Sequence, residues 1–180
     1  MNSAQFKLLK LRDRDMRSAL DIINWQSDYL KIKQIDQYRL PYPDSKELKT
    51  RQDKGYNFSL YDISNKEIAV FVSLIPNYIP DGWKEFEPEK NYCWLTSLFT
   101  SKDYKGRNLG YTMLQEIDKK LISESFRIIM LDCHVGFGDF LVDFYRNDRY
   151  VEIARKHMIY PTNSFNAALM KKNLLTTRNK

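Results

Sequence analysis

The chain has 180 residues, 43% of them hydrophobic and 14% aromatic, with 29 Lys and Arg against 23 Asp and Glu. That is enough apolar residue for a core, which excludes disorder throughout, and the length fits one domain with or without a tail. No apolar run approaches the ~20 residues of a spanning helix, so no membrane partner is expected, and Cys93 and Cys133 have no close Cys or His in a metal-site spacing, so no disulfide framework and no metal are expected and a reducing cytoplasm is the expected setting.

The opening stretch MNSAQFKLLKLRDRD lacks the long apolar segment of a signal peptide. Gln5 to Arg12 sets Phe6 and Leu8 against Lys7 and Lys10 and predicts a strand. Asp13 is placed as a helix N-cap, and Met16, Leu20, Ile23 and Leu30 share one helical face, which predicts a helix toward residue 32. Pro41 and Pro43 break the chain, and Ser45 to Lys54 reads as a short helix closed by Gly55. Two strands, Tyr56–Tyr61 and Glu67–Leu74, flank a hairpin turn at Asp62–Lys66. Asn77 to Glu89, with two prolines, Gly82 and four acids, reads as a loop.

Tyr92 to Thr100 predicts a strand rich in aromatics and Thr. Gly106 to Ile122 predicts a helix striped by Leu109, Met113, Leu114, Ile117 and Leu121. Phe126 to Cys133 is apolar enough for a strand buried on both faces. Asp139 to Asn147 reads as a short helix with Phe140, Leu141 and Phe144 inward, and Tyr150 to Tyr160 as a last strand. Residues 1–160 are expected to form the domain and 161–180 a basic C-terminal tail or extension. The last ten residues hold Lys171, Lys172, Arg178 and Lys180 and no acid, which is four of the six net positive charges. Such an end reads as an exposed, solvated terminus, so no nucleic-acid partner is expected, while the charge still suits a phosphorylated cofactor. Strands and helices interleave, which calls for an α/β (α+β) fold with helices packed on a sheet.

The most informative stretch is Leu98 to Leu114, LFTSKDYKGRNLGYTML: a strand, a basic glycine-containing turn, then a helix. The first N–H groups of a helix have no intrahelical acceptor, and the helix dipole adds positive potential there. Gly106 and Gly110 permit close backbone approach, and Lys105 and Arg107 add charge. A phosphate or pyrophosphate suits such a cradle; an ordinary basic turn at a helix start is the other reading.

About twenty residues after that helix opens, a strand ends in Leu131-Asp132-Cys133-His134; Phe144-Tyr145 and then Asp148-Arg149-Tyr150 follow. In this order the sequence resembles the GNAT superfamily of N-acetyltransferases. Lys105, Asn108 and Gly110 fall in the defining slots of its Gln/Arg-x-x-Gly-x-Gly/Ala cofactor loop, with Asn in place of the middle Gly. Asn tolerates left-handed backbone angles better than most residues, so the turn is expected to survive. The later segment resembles the family's Leu-Asp-Cys, Phe-Tyr and Gly-Phe series, but Arg149 stands for that Gly, and the usual intervening Asn is replaced near Phe137 and Gly138. Tyr29 to Tyr38 is similar to a Trp-Leu-x-x-x-Gly-Ile-x-Gln-Trp segment of one bacterial group, and an acidic loop around Trp83–Glu89 precedes the cofactor strand. The resemblance covers roughly residues 5 to 158.

The resemblance implies a GNAT fold with a central mixed, partly splayed β-sheet flanked by helices. It implies acetyl-CoA as acyl donor, with no metal, and direct attack by a primary amine in a ternary complex. The backbone of Leu98, Phe99 and Thr100 would bind the pantetheine arm as an added strand. The amides of Lys105, Gly106, Arg107, Asn108, Leu109 and Gly110 would hold the pyrophosphate, and an N–H near Leu98 would polarise the thioester carbonyl. Tyr145 matches the family's general acid, the alternative being a packed aromatic beside Phe144. His134 is a candidate base by position and by its ordinary pKa, the alternative being a structural histidine; Glu85, Glu87 and Glu89 are others. Cys133 is expected in the core, since neighbours in a strand face opposite ways. Trp25, Tyr29, Tyr38, Tyr42 and Trp83 are candidates for holding the acceptor, or equally for packing helices on the sheet. The implied partner is a small-molecule amine, and a homodimer is left open. A protein N-acetyltransferase and a non-catalytic CoA-binding module are the alternative functions.

Overall fold

The computed structural model describes residues 5–35, 43–136, 138–159 and 164–174. Seven strands form one mixed sheet: β1 (Phe6–Lys10), β2 (Asn57–Asp62), β3 (Glu67–Pro76), β4 (Tyr92–Thr100), β5 (Ile128–His134), β6 (Val151–Ile159) and β7 (Ser164–Asn173). Their order across the sheet is β1-β2-β3-β4-β5-β7-β6. The helices are α1 (Met16–Ile32), α2 (Ser45–Asp53), α3 (Leu109–Ser123) and α4 (Phe140–Arg146). The chain divides into two compact units, one of residues 1–74 and 97–116, the other of residues 75–96 and 117–180.

In the first unit β1, β2 and β3 pair antiparallel, with a register shift at Leu60/Tyr61. One face of α1 is buried through Ala19, Ile22, Ile23, Ser27 and Leu30. The 3.6-residue spacing of these positions explains why an otherwise polar sequence forms a helix here. Ala19, Ile22 and Ile23 pack with Leu11, Leu48, Tyr61, Ile68, Phe71 and Phe99. Asp44 caps α2, its carboxylate accepting from the Glu47 N–H at 2.8 Å. The predicted hairpin turn is built on the buried Asp62. Its Oδ1 accepts from the N–H groups of Ser64 (2.9 Å) and Asn65 (3.1 Å). Its Oδ2 accepts from the side chains of Asn65, Gln5 and Tyr104.

In the second unit β4 and β5 run parallel, paired from Tyr92–Trp94 to Ile128–Met130. β5 continues to His134 against β7, and β7 pairs antiparallel with β6 on its other side. Ile129, Met130 and Leu131 are buried in succession, as a strand covered on both faces requires. The predicted loop after β3 contains a short 3₁₀ helix, Asp81–Phe86, that buries Trp83. Trp83 packs with Ile79, Tyr92, Trp94, Met130, Met158, Phe165, Ala167 and Leu169.

Two expectations are corrected. Residues 164–173 are not a tail: they form β7, hydrogen-bonded between β5 and β6, and Lys172 is 2% exposed. The run Ala167-Ala168-Leu169-Met170 has little strand propensity and no alternation, so nothing local marks it as a strand. α4 also turns a different face inward than its sequence predicts: Phe140 is 70% exposed, while Val142 and Tyr145 are the buried positions. A helix of seven residues offers two turns of pattern, too few to fix its face from periodicity.

Candidate functional site

The proposed phosphate loop lies wholly in the first unit. After β4 a 3₁₀ turn, Lys102–Tyr104, leads into Lys105, Gly106, Arg107 and Asn108, and α3 begins at Leu109. Gly106 has φ +74° and Asn108 φ +60°, two left-handed residues that curl the backbone just before the helix. The Asn108 carbonyl accepts from the Thr112 N–H, so Asn108 stands at the N-cap. Asn keeps the conformation that glycine serves in the resembled motif. A Cβ built on Gly106 meets nothing within 4 Å, so that residue stands against open space among the described residues. With the leading N–H groups of α3 beside it, the loop fits a diphosphate.

The charged side chains of this loop are not alike. Lys105 Nζ lies 3.4 Å from the Tyr29 ring centroid and 4.5 Å from that of Trp25, whose rings stack at 5.5 Å on α1. It is held by cation–π attraction. The Arg107 guanidinium lies 4.9 Å from the Tyr104 ring. Of the predicted acceptor aromatics, Trp25 and Tyr29 therefore hold a lysine of the loop, and Tyr38 and Tyr42 lie outside the described residues.

Upstream, Ser97 has φ +60° in the middle of β4. A left-handed residue in a strand is bulge geometry. Burial is continuous from Tyr92 to Leu95, and after Ser97 it alternates through Leu98, Phe99 and Thr100. Phe99 points into the core of the first unit, leaving Leu98 and Thr100 half-buried. Ser97 Oγ accepts from the buried Arg51 at 3.4 Å. Serine is not a usual left-handed residue, so the sequence carried no sign of this bulge.

The other predicted residues lie in the second unit. Tyr145 is 8% exposed on α4, edge-on to Phe144 at 5.1 Å and to Tyr150 at 5.4 Å. α4 ends in a Schellman motif: the Tyr150 N–H donates to the Tyr145 carbonyl and the Arg149 N–H to that of Arg146. Arg149, at the position of the resembled glycine, has φ +69°. Burial raises the Tyr150 phenol well above its ordinary value.

His134 ends β5 half-buried, its ring stacked on Phe165 at 6.0 Å. A Cβ on Gly136 would stand 2.6 Å from His134 Cε1, so that glycine lets the ring lie against the backbone. Cys133 is buried and burial pushes its thiol up to about 12, so it is no nucleophile. Asp132 accepts from Trp83 Nε1 at 3.0 Å, which supplies the partner a carboxylate in an apolar strand needs. Trp83 is thus core, not an acceptor contact. Glu85 is bonded to Lys156 at 2.7 Å, and Glu87 to Tyr92 and Lys84. These donors hold both carboxyls below their ordinary range and make them poor proton acceptors near neutrality.

A buried ionic cluster that no local sequence pattern marks also lies in the second unit. Lys172 Nζ lies 2.6 Å from Asp118 Oδ2 and 2.6 Å from Asp148 Oδ2, and 5.2 Å from the Tyr150 ring. Arg149 approaches Asp118 at 3.4 Å. Among the described residues Asp118 Oδ1 and the Tyr150 hydroxyl have no hydrogen-bond partner. Burial outweighs Lys172 and raises the Asp118 carboxyl.

The mixed seven-stranded sheet and its strand order are those of an acetyltransferase fold, and the comparisons give the class. Residues 20–148 match the model of the Acetyltransferase (GNAT) family, and the chain belongs to that family as a GNAT-type N-acetyltransferase. An acetyltransferase of the GNAT family from Listeria monocytogenes superposes with a TM-score of 0.76 at 18% identity, over 94% of this chain and 95% of that one. Spermidine N-acetyltransferase from Vibrio cholerae, in complex with CoA and spermine, gives 0.71 at 15% identity, over 96% and 97%. The ribosomal-protein-S18-alanine N-acetyltransferase of Escherichia coli gives 0.68 at 17%, over 97% and 98%. A search of curated proteins found no significant match.

Proposed function

We propose that the chain is a cytoplasmic enzyme that moves the acetyl group of acetyl-CoA to a primary amine of a small molecule. The observation that carries this reading is the pair of left-handed residues, Gly106 and Asn108, that opens the basic turn onto α3. Acetyl-CoA supplies the activated thioester. The amides from Lys105 to Gly110 bind its diphosphate, with Arg107 adding charge. The backbone of Leu98, Phe99 and Thr100, realigned by the Ser97 bulge, takes the pantetheine arm as an added strand. The Tyr145 hydroxyl donates its proton to the departing sulfur. His134 accepts the proton of the incoming ammonium. The small-molecule acceptor is supported by the likeness to a protein whose structure holds spermine.

The test begins with cofactor binding. At a hundred times Kd, acetyl-CoA stabilises the chain by about 2.7 kcal/mol and raises Tm. Gly110→Asp sets a carboxylate against the phosphates and abolishes the rise without lowering the melting point of the free protein; an unchanged affinity discards the loop. Thiol release is then followed against an amine panel that includes spermine. Tyr145→Phe leaves acetyl-CoA affinity constant and lowers kcat by about 10²-fold. Weakened binding with normal turnover would make Tyr145 a binding residue instead.

A further inference from the structure

Lys172 is the least expected side chain in the molecule, a cation 2% exposed on a strand with two carboxylates at 2.6 Å. Burying three charges is costly, and a well-packed apolar trio would commonly serve stability as well or better. Stability alone therefore does not account for the cluster, and its attachment points are specific. Asp148 follows Asn147, the C-cap of α4, and its N–H donates to the Tyr145 carbonyl at 2.9 Å. Tyr150 donates to the same carbonyl at 3.1 Å and places its ring edge-on against that of Tyr145. Lys172 touches both, Asp148 through an ion pair and Tyr150 through its ring face. The two groups that hold the Tyr145 backbone and the ring that packs on its phenol are thus fastened to one buried ammonium.

We infer that Lys172 is a positioning residue for Tyr145: with Asp118 and Asp148 it locks the turn after α4 and so fixes the direction of the phenol. This rests on the reading of Tyr145 as the proton donor, but the readout that decides it is not turnover. Asp118 anchors the cation from α3, so Lys172 keeps a counter-ion when Asp148 is removed. The groups facing Lys172 are Asp118 on α3, Asp148 and Tyr150 after α4, and Arg149, which faces Asp118 from the solvent side.

The experiment uses the full chain labelled with 3-fluorotyrosine and ¹⁹F NMR. The Tyr145 line is assigned by its loss in Tyr145→Phe. Asp148→Ala is expected to broaden or split that line by freeing the turn, while the lines of Tyr61 and Tyr104 in the first unit keep their shifts. Lys172→Met is expected to do the same more strongly. Asp148→Asn, which still offers an oxygen to the ammonium, is expected to restore a single sharp line. A Tyr145 line unchanged in both Asp148→Ala and Lys172→Met overturns the inference. So does an Asp148→Ala protein that loses every line of the second unit, because the cluster is then a folding element only. If Lys172→Met fails to fold, Asp148→Ala decides alone. Should the line respond while Tyr145→Phe keeps full turnover, the positioning stands and the proton-donor reading falls.

Discussion

Asp62 in the first unit and Asp118 in the second are both buried carboxylates, and their charges are met in opposite ways. Asp62 in the first unit is met by neutral donors: the N–H groups of Ser64 and Asn65 and the side chains of Asn65, Gln5 and Tyr104. Burial pushes its carboxyl up, but those bonds outweigh it and hold the group below its ordinary value. Asp118 in the second unit is met by Lys172, with one oxygen left unpartnered among the described residues, and there burial wins and the carboxyl is raised. Several aligned dipoles can stabilise a buried anion better than one ammonium that must itself be desolvated.

The largest expected effect breaks the ionic side of this comparison. Ending the chain at residue 163 removes β7 from between β5 and β6 and should leave the second unit unfolded, read as loss of hydrogen-exchange protection in β5. Lys172→Met leaves Asp118 and Asp148 facing each other without a cation and should cost about 3–5 kcal/mol. Exchange of the β7 amides measures it. A loss below 1 kcal/mol would show that the carboxyls simply take up protons.

Asp62→Asn should cost less, about 1–3 kcal/mol, because the amide keeps one acceptor and loses the other. The two carboxyls also differ in sign with pH. The lowered Asp62 contributes stability above its unfolded value near 3.9 and loses it as pH falls through its folded value. The raised Asp118 works the other way: its contribution is present below the unfolded value and lost as pH rises through the folded one. Carboxyl ¹³C titration should place Asp118 above the ordinary range and Asp62 below it. The reverse order would overturn the comparison.

The same contrast explains what the sequence revealed. The Asp62 turn was legible because its parts are local: Asp62, Ser64 and Asn65 lie within four residues between two strand patterns. The shape of the basic turn before α3 was legible for the same reason, down to Asn108 keeping a left-handed conformation. The Lys172 cluster joins positions 118, 148 and 172, and its lysine sits in a stretch that composition assigns to a solvated tail. Charge counting cannot tell a buried lysine from an exposed one, and Ala167-Ala168-Leu169-Met170 carries no strand signal. The bulge at Ser97 and the inward phase of α4 were also set by tertiary packing, which overrides local pattern.

The smallest expected effect compares the two places where a non-glycine residue takes a glycine conformation. Asn108 has φ +60° and Arg149 φ +69°. For Asn the left-handed region is nearly free, and at an N-cap exchange with Gly shifts stability by only a few tenths of a kcal/mol, about 0.3. Arg149 bears the ordinary left-handed penalty of roughly 1–2 kcal/mol. Glycine would relieve it, at about 0.5–1 kcal/mol of added chain entropy. The ion pair to Asp118 is long, at 3.4 Å, with the arginine side chain 68% exposed, so its removal costs little. Arg149→Gly should therefore gain up to about 1 kcal/mol, a rise in Tm of about 2–4 °C for a chain of this size, while Asn108→Gly should leave Tm in place. If Arg149→Gly lowers Tm instead, the guanidinium is supporting Asp118 Oδ2, alongside Lys172, more than it strains the turn. Arg149→Lys then separates the two: it keeps the charge and the strain, and would melt with the wild type.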